Sequence, residues 1–216
     1  MLRVAHFRHS CLLVELNDTK ILFDPGNFSH GFEGLTDLDA IVITHQHPDH
    51  ADTQRLPALV EANPGATLLA DPQTSAQLGE QWTAVYAGNI MQVGGIQLTG
   101  AGGRHAVIHP DIPVIDNTVY LVGTPDQPAQ LMHPGDSLFV PSVPVDILAL
   151  PAAAPWMKIS ETVDYLRAVQ PRFAFPIHQE VISDAGRGIY YSRLAEMAAE
   201  GTEFRVLPEE ESLQLR

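Results

Sequence analysis

Ala40-Ile41-Val42-Ile43-Thr44-His45-Gln46-His47-Pro48-Asp49-His50 is the stretch on which the reading turns. Residues 40–43 form a short, unbroken apolar run, the pattern of a fully buried strand. The run leads directly into His-x-His-x-Asp-His, which sets four side chains able to hold a metal within six residues. In a turn at the end of a strand, residues two apart can converge on one cation from one side. The next pair, Asp49 and His50, is then rotated toward a neighbouring position. Neutral imidazoles and a carboxylate are donors that suit zinc-like cations. A polar surface turn gives no reason for so many donors in so short a span.

Three residues further along fit as completing ligands. His105 follows Gly102-Gly103-Arg104, Asp136 follows His133-Pro134-Gly135, and His178 follows the apolar run at Phe173 to Ile177. Each stands at the end of a β segment, where a common rim can gather them. The chain holds ten histidines, an unusually high count for 216 residues.

Composition sets the boundaries. A chain that is 45% hydrophobic and 18% charged has ample apolar surface for a core, which disfavours disorder. The formal charge of −14 repels phosphate backbones and disfavours general nucleic-acid binding. It leaves room for a small-molecule substrate in a locally positive pocket. The only cysteine, Cys11, excludes an intramolecular disulfide framework, and its apolar surroundings predict a buried thiol. The N-terminus lacks a charged region followed by an apolar one, and no stretch approaches the roughly 20 apolar residues that span a bilayer. A soluble, cytoplasmic protein without membrane partners is the expectation. Oligomeric state is not legible.

The pattern along the chain alternates strands and helices. Cys11–Leu16 and Ile21–Phe23 read as a hairpin across Asn17-Asp18, ending at Asp24-Pro25-Gly26. Residues 53–62 predict a helix with Asp52 or Thr53 as its N-cap, and a second helix follows Asp71-Pro72. Asn117–Val122 and Ala129–Met132 read as another hairpin, followed by a buried strand at 146–150. Ser160 is expected to cap a helix to about Val169, residues 186–200 to form a helix, and Phe204 to Leu207 a last strand. The order of hairpin, turn and buried strand occurs twice, which suggests two sheets packed face to face with helices outside.

The Asp24 turn, the His45-x-His47-x-Asp49-His50 cluster, His105, Asp136 and His178 together resemble the five ordered motifs of the metallo-β-lactamase superfamily. The likeness runs from about residue 5 to 180. His9-Ser10-Cys11-Leu12-Leu13, the Gly102-Gly103-Arg104-His105 stretch and the short length are most similar to its compact branch of metal-dependent hydrolases, with ascorbate-6-phosphate lactonase-like proteins as distant relatives. The resemblance implies an α+β fold, an αββα four-layer sandwich, with residues 1–216 as a single hydrolase domain and the site at one edge. It also implies a ligand set. His45, His47 and His105 would hold a first divalent ion, Asp49, His50 and His178 a second, and Asp136 would bridge both. Zinc is the expected metal, with manganese or iron as alternatives. Asp24 would orient a ligand imidazole from behind.

The implied activity is that of a dinuclear hydrolase in which a hydroxide bridging the cations cleaves a small ester, lactone or phosphoester. Asp49 is the expected catalytic residue, steering the hydroxide or accepting a proton. A phosphodiesterase acting on nucleotides or lipid headgroups and a catalytically silent metal-binding protein are the alternatives. Seven filled ligand positions argue against the silent reading. Position 47 is His rather than the Glu of the oxygen-reducing flavodiiron branch, which favours hydrolysis over redox chemistry. No late Cys marks a true β-lactamase.

Other residues stand close to these motifs. His9 and His133 flank them and are candidates for supporting roles, and His109 for a pocket role. Arg104, Trp156 and Lys158 are candidates to line a substrate mouth, with Trp156 as a flat apolar wall and Lys158 as a cation. His6 and His30 read as structural or surface residues, and Glu209-Glu210-Glu211 as a solvated loop.

Overall fold

Two left-handed residues start the first sheet. Asn17 (φ 50°) and Asp18 (φ 64°) form a two-residue turn that sets Leu16 opposite Thr19, the geometry that matches strand twist in tight hairpins. The computed structural model describes residues 1–215. In chain order the first half comprises β1 (Leu2–His6), β2 (Leu12–Leu16), β3 (Thr19–Phe23), β4 (Ala40–Ile43), α1 (Leu56–Ala62), β5 (Thr67–Ala70), α2 (Pro72–Leu78) and β6 (Thr83–Ala84). The second comprises β7 (Ile90–Val93), β8 (Ile96–Gly102), β9 (Thr118–Thr124), β10 (Gln127–His133), β11 (Ile147–Pro151), α3 (Ile159–Val169), β12 (Phe173–Ile177) and α4 (Asp184–Met197). Two short strands, β13 (Glu203–Phe204) and β14 (Leu213–Gln214), close the described chain.

The strands form two sheets, ordered β14-β1-β2-β3-β4-β5-β6 and β13-β12-β11-β10-β9-β8-β7. Their facing sides share one core that includes Leu2, Leu12, Phe23, Tyr120, Val122 and Phe175. The outer face of the first sheet packs Ile41 and Ile43 against Leu56 and Leu59 of α1. The outer face of the second packs Leu148 and Leu150 against Leu166 of α3 and Leu194 of α4. The layers are therefore helix, sheet, sheet, helix. The unbroken run in β4 is explained at once: Ala40 and Val42 face the inner core while Ile41 and Ile43 face the helices.

Several boundaries differ from the sequence reading, each for a local reason. α1 begins at Leu56 rather than 53, because Asp52 caps the preceding turn by accepting from the Gln54 and Arg55 amides. α3 starts from Lys158 rather than Ser160, because the Glu161 carboxylate reaches back to the Lys158 amide. The helix expected at 186–200 is α4, which begins at Asp184 behind the Ser183 cap and ends at Met197. The strand expected at 204–207 is confined to Glu203–Phe204. The acidic run at 209–211 is held by the first sheet: Glu209 pairs with Arg8 at 2.8 Å, and the Glu210 amide donates to the His6 carbonyl. Among the described residues, no helix is long and apolar enough to cross a membrane.

One edge of the sandwich collects the ends of β3, β4, β8, β10, β11 and β12, together with the turn between β1 and β2. All seven ligand positions read from the sequence lie there.

Candidate metal centre

The loop after β4 is fixed from beneath by Asp24, which is fully buried and adopts a left-handed backbone (φ 47°). Its carboxylate accepts from the Thr44 amide and the Thr44 hydroxyl, each at 2.8 Å, and from His50 Nδ1 at 2.7 Å. Three donors converging on one buried carboxylate satisfy its charge where water is excluded. Gly26 lets the chain pass directly under this loop. A Cβ at that position would lie 1.7 Å from the Asp49 carbonyl oxygen and 2.0 Å from its carbon.

The second nitrogen of each imidazole sets its tautomer. His50 Nδ1 is held by Asp24, His105 Nδ1 donates to the Ala106 carbonyl at 2.6 Å, and His178 Nδ1 donates to the Ala153 carbonyl at 2.7 Å. His45 Nδ1 lies 3.1 Å from the Thr44 hydroxyl, which itself donates to Asp24. With the Nδ1 proton committed, Nε2 of each ring is free to offer its lone pair to the centre. Three of those atoms, His50 Nε2, His105 Nε2 and His178 Nε2, are buried without hydrogen-bond partners, and so is Asp136 Oδ1. An unpaired polar atom in a protein interior is costly, and four in one place call for a common partner.

Their spacing suits a cation. Asp136 Oδ1 lies 3.1 Å from His50 Nε2 and 3.3 Å from His178 Nε2, and its other oxygen, Oδ2, lies 3.3 Å from His105 Nε2. Asp49 Oδ2 is 3.4 Å from His178 Nε2 and 3.9 Å from His50 Nε2. Donors arranged tetrahedrally around zinc, with bonds of about 2.0–2.1 Å, stand about 3.4 Å apart. His45 Nε2 and His47 Nδ1 lie 3.1 Å from each other, and the side chains of His45, His47, His105 and Asp136 form one potential metal-holding group. His9, Asp49, His50 and His178 form a second. Asp136 turns one oxygen toward each set. The donors present therefore fit two divalent cations.

Electrostatics follow from burial and neighbours. Desolvation lowers His45 and His47 below the usual imidazole range, which keeps them neutral as ligands require. Burial also disfavours charge on His50 and His178, but Asp136 outweighs it at both, helped by Asp24 and Asp49 respectively. His50 is held well above the usual range and His178 is pushed up to about 9. A cation must therefore displace protons from a metal-free centre. Zinc uptake at pH 7 is expected to release on the order of one proton per chain or more, and affinity to rise as pH approaches 9. Titration calorimetry in buffers of different ionisation enthalpy reads that number; a heat independent of the buffer contradicts it.

All seven ligand positions from the sequence meet here, and Asp24 supports His50 as expected. His9 and His133 also belong to the site's surroundings: His9 Nε2 lies 3.0 Å from Asp49 Oδ2, and His133 Nε2 donates to the Ser10 carbonyl. Trp156 is more than an apolar wall. Its indole N–H donates to Asp136 Oδ2 at 2.9 Å while its ring meets His105 edge-on. Nothing in the sequence signals that bond, because it depends on the turn after β11 folding back. His6 is structural, donating to the His9 carbonyl. His109 sits on an exposed loop with Asp111 as its side-chain neighbour and does not join the cluster. Arg104 and Lys158 are exposed, close in sequence to His105 and Trp156.

The chain is similar in sequence or fold to several known proteins. A Mycobacterium tuberculosis protein, Rv0786c, is 61% identical over 212 residues, covering 98% of this chain and 99% of its own length. The structure of Igni18, a metallo hydrolase from Ignicoccus hospitalis, superposes with a TM-score of 0.74 at 19% identity over 100% of this chain and 99% of that one. CmlA, a diiron beta-hydroxylase from Streptomyces venezuelae, is similar with a TM-score of 0.70 at 16% identity, over 99% of this chain and 54% of that one. The fold alone thus accommodates different chemistries. A family model described as the beta-lactamase superfamily domain matches residues 3–178, from β1 to His178, and the chain belongs to that superfamily.

Proposed function

We propose that the protein is a dinuclear metal-dependent hydrolase of a small ester, lactone or phosphoester, with zinc as the natural metal. The observation that carries this reading is Asp136, whose two oxygens face two separate sets of histidine nitrogens. The cations would polarise the scissile group and lower the pKa of a coordinated water to about 7, supplying a nucleophile at neutral pH.

The chain's own residues have distinct parts in this scheme. Asp24, Ala106 and Ala153 hold the imidazoles in one tautomer. Trp156 anchors Asp136 from its outer side. Asp49 is about one-fifth exposed while His50, His178 and Asp136 are buried, so it is the carboxylate that reaches incoming water. Burial would raise its pKa, but the nearby His178 ring, 3.4 Å away, and the His9 hydrogen bond outweigh that and hold it well below the usual carboxylate range. We therefore assign Asp49 to steering the attacking water as an ionised acceptor. Five imidazoles against two carboxylates form a nitrogen-rich set, which suits zinc. The net charge of −14 favours a small substrate over a nucleic acid.

Dialysis against a chelator is expected to abolish hydrolysis, and added zinc or manganese to restore it. Full activity in a metal-free preparation contradicts the proposal. Turnover of bis(p-nitrophenyl) phosphate beside ester and lactone panels separates a phosphodiesterase from a carboxylic-ester hydrolase.

A further inference from the structure

His9 lies in the turn between β1 and β2, forty residues before the nearest partner of its side chain. It is fully buried. Nε2 lies 3.0 Å from Asp49 Oδ2, and an ionised carboxylate only accepts, so this nitrogen carries the ring proton. Its backbone carbonyl accepts from the His178 amide at 2.9 Å, and its ring lies 4.1 Å from the His178 ring. One residue thus touches two expected ligands that stand on different sheets.

The turn is held in a costly shape. Arg8 (φ 64°) and His9 (φ 44°) are consecutive left-handed residues, and His178 (φ 63°) is a third. Such residues persist only where surrounding contacts enforce them. Here the contacts are specific: His6 Nε2 donates to the His9 carbonyl, His133 Nε2 to the Ser10 carbonyl, and the Cys11 amide and Ser29 hydroxyl to the Arg8 carbonyl.

Asp49 depends on this turn. The ring nitrogens near its Oδ2 belong to His9, His50 and His178. The Nδ1 protons of His50 and His178 are committed to Asp24 and Ala153, so their Nε2 atoms turn lone pairs to a cation once one is bound. His9 is then the ring that still donates to Asp49.

We propose that His9 is the positioning residue of the second metal position: its Nε2–H fixes the Asp49 carboxylate while its carbonyl fixes the backbone of His178. This rests on the dinuclear reading above. The role is one of orientation, the function that outer partners of metal ligands perform.

The test compares His9→Asn with His9→Gln. Asn accepts a left-handed backbone but is too short to reach Asp49, whereas Gln carries an amide N–H to nearly the position of Nε2. Metal-depleted parent and variants are titrated with cobalt(II), reading stoichiometry and the visible spectrum, with thermal unfolding as a check on the fold. The parent is expected to bind two equivalents. In H9N the first is expected to bind within about 2-fold of the parent and the second about 10–100-fold more weakly, with an altered spectrum for the second ion only. H9Q is expected to recover most of that loss. A folded H9N that binds both equivalents like the parent overturns the role of His9, and so does a folded H9Q no better than H9N. A parent that binds fewer than two equivalents overturns the dinuclear reading itself.

Discussion

Asp136→Asn is expected to leave a folded protein that keeps at most one metal equivalent and loses at least about 10^3-fold in hydrolysis, because loss of a mere outer partner already costs about 10–100-fold and Asp136 serves both positions. The substitution conserves volume, so the packing around β10 should survive. What it removes is the negative charge shared by His50, His105 and His178. His178, pushed up to about 9 mainly by Asp136, should titrate closer to the ordinary imidazole value in the metal-free variant. Metal analysis and histidine titration by NMR together read the result. Two tightly held equivalents in the variant would show that Asp136 bridges nothing.

The second large effect is expected at a residue with no side chain to offer a metal. Gly26→Ala places a methyl group 1.7 Å from the Asp49 carbonyl oxygen and 2.5 Å from the His50 amide nitrogen. These are backbone atoms, so no side chain can rotate away. The loop must move, and with it Asp49 and His50, which supply half of the second cluster. Overpacking of this kind costs about 1–3 kcal/mol, and more where backbone must shift. A lowered melting temperature together with loss of the second metal equivalent is the expected outcome. A variant with parental stability and two bound metals would mean that the loop is far more pliable than its contacts with Asp24 and Asn27 imply.

Much of this site was legible in the sequence because its candidate ligands follow strand ends. A buried strand followed by a donor-rich turn is a local pattern, and His45, His47, Asp49 and His50 declare themselves within one. His105, Asp136 and His178 carry weaker signals singly, but their order along the chain matches the superfamily's motifs. The four-layer fold follows from the same repetition. The contacts that stayed hidden join distant segments. Trp156 reaches Asp136 only because the turn after β11 folds back, and no periodicity encodes that. His9 meets Asp49 and His178 only once both sheets are assembled. The short β14 pairs with β1 at the far end of the chain, and Glu209 docks on Arg8, so a segment that reads as solvated loop becomes part of the first sheet's edge. Asp52, expected as the cap of α1, instead closes the turn before it, and the Glu161 carboxylate draws the start of α3 back to Lys158.

The histidine excess is also resolved by place. Six histidines belong to the two clusters, five of them expected ligands and the sixth His9. His6, His9 and His133 brace the turn and loop behind them. His30 and His109 are exposed. The high count therefore reflects one centre and its supports.

The most direct measurement is the metal content of the purified protein by plasma emission spectroscopy, first as isolated and then after depletion and reconstitution. The dinuclear account predicts two equivalents of a divalent metal per chain, zinc foremost. A protein that carries none, and takes up none when zinc, manganese or iron is supplied, would contradict it.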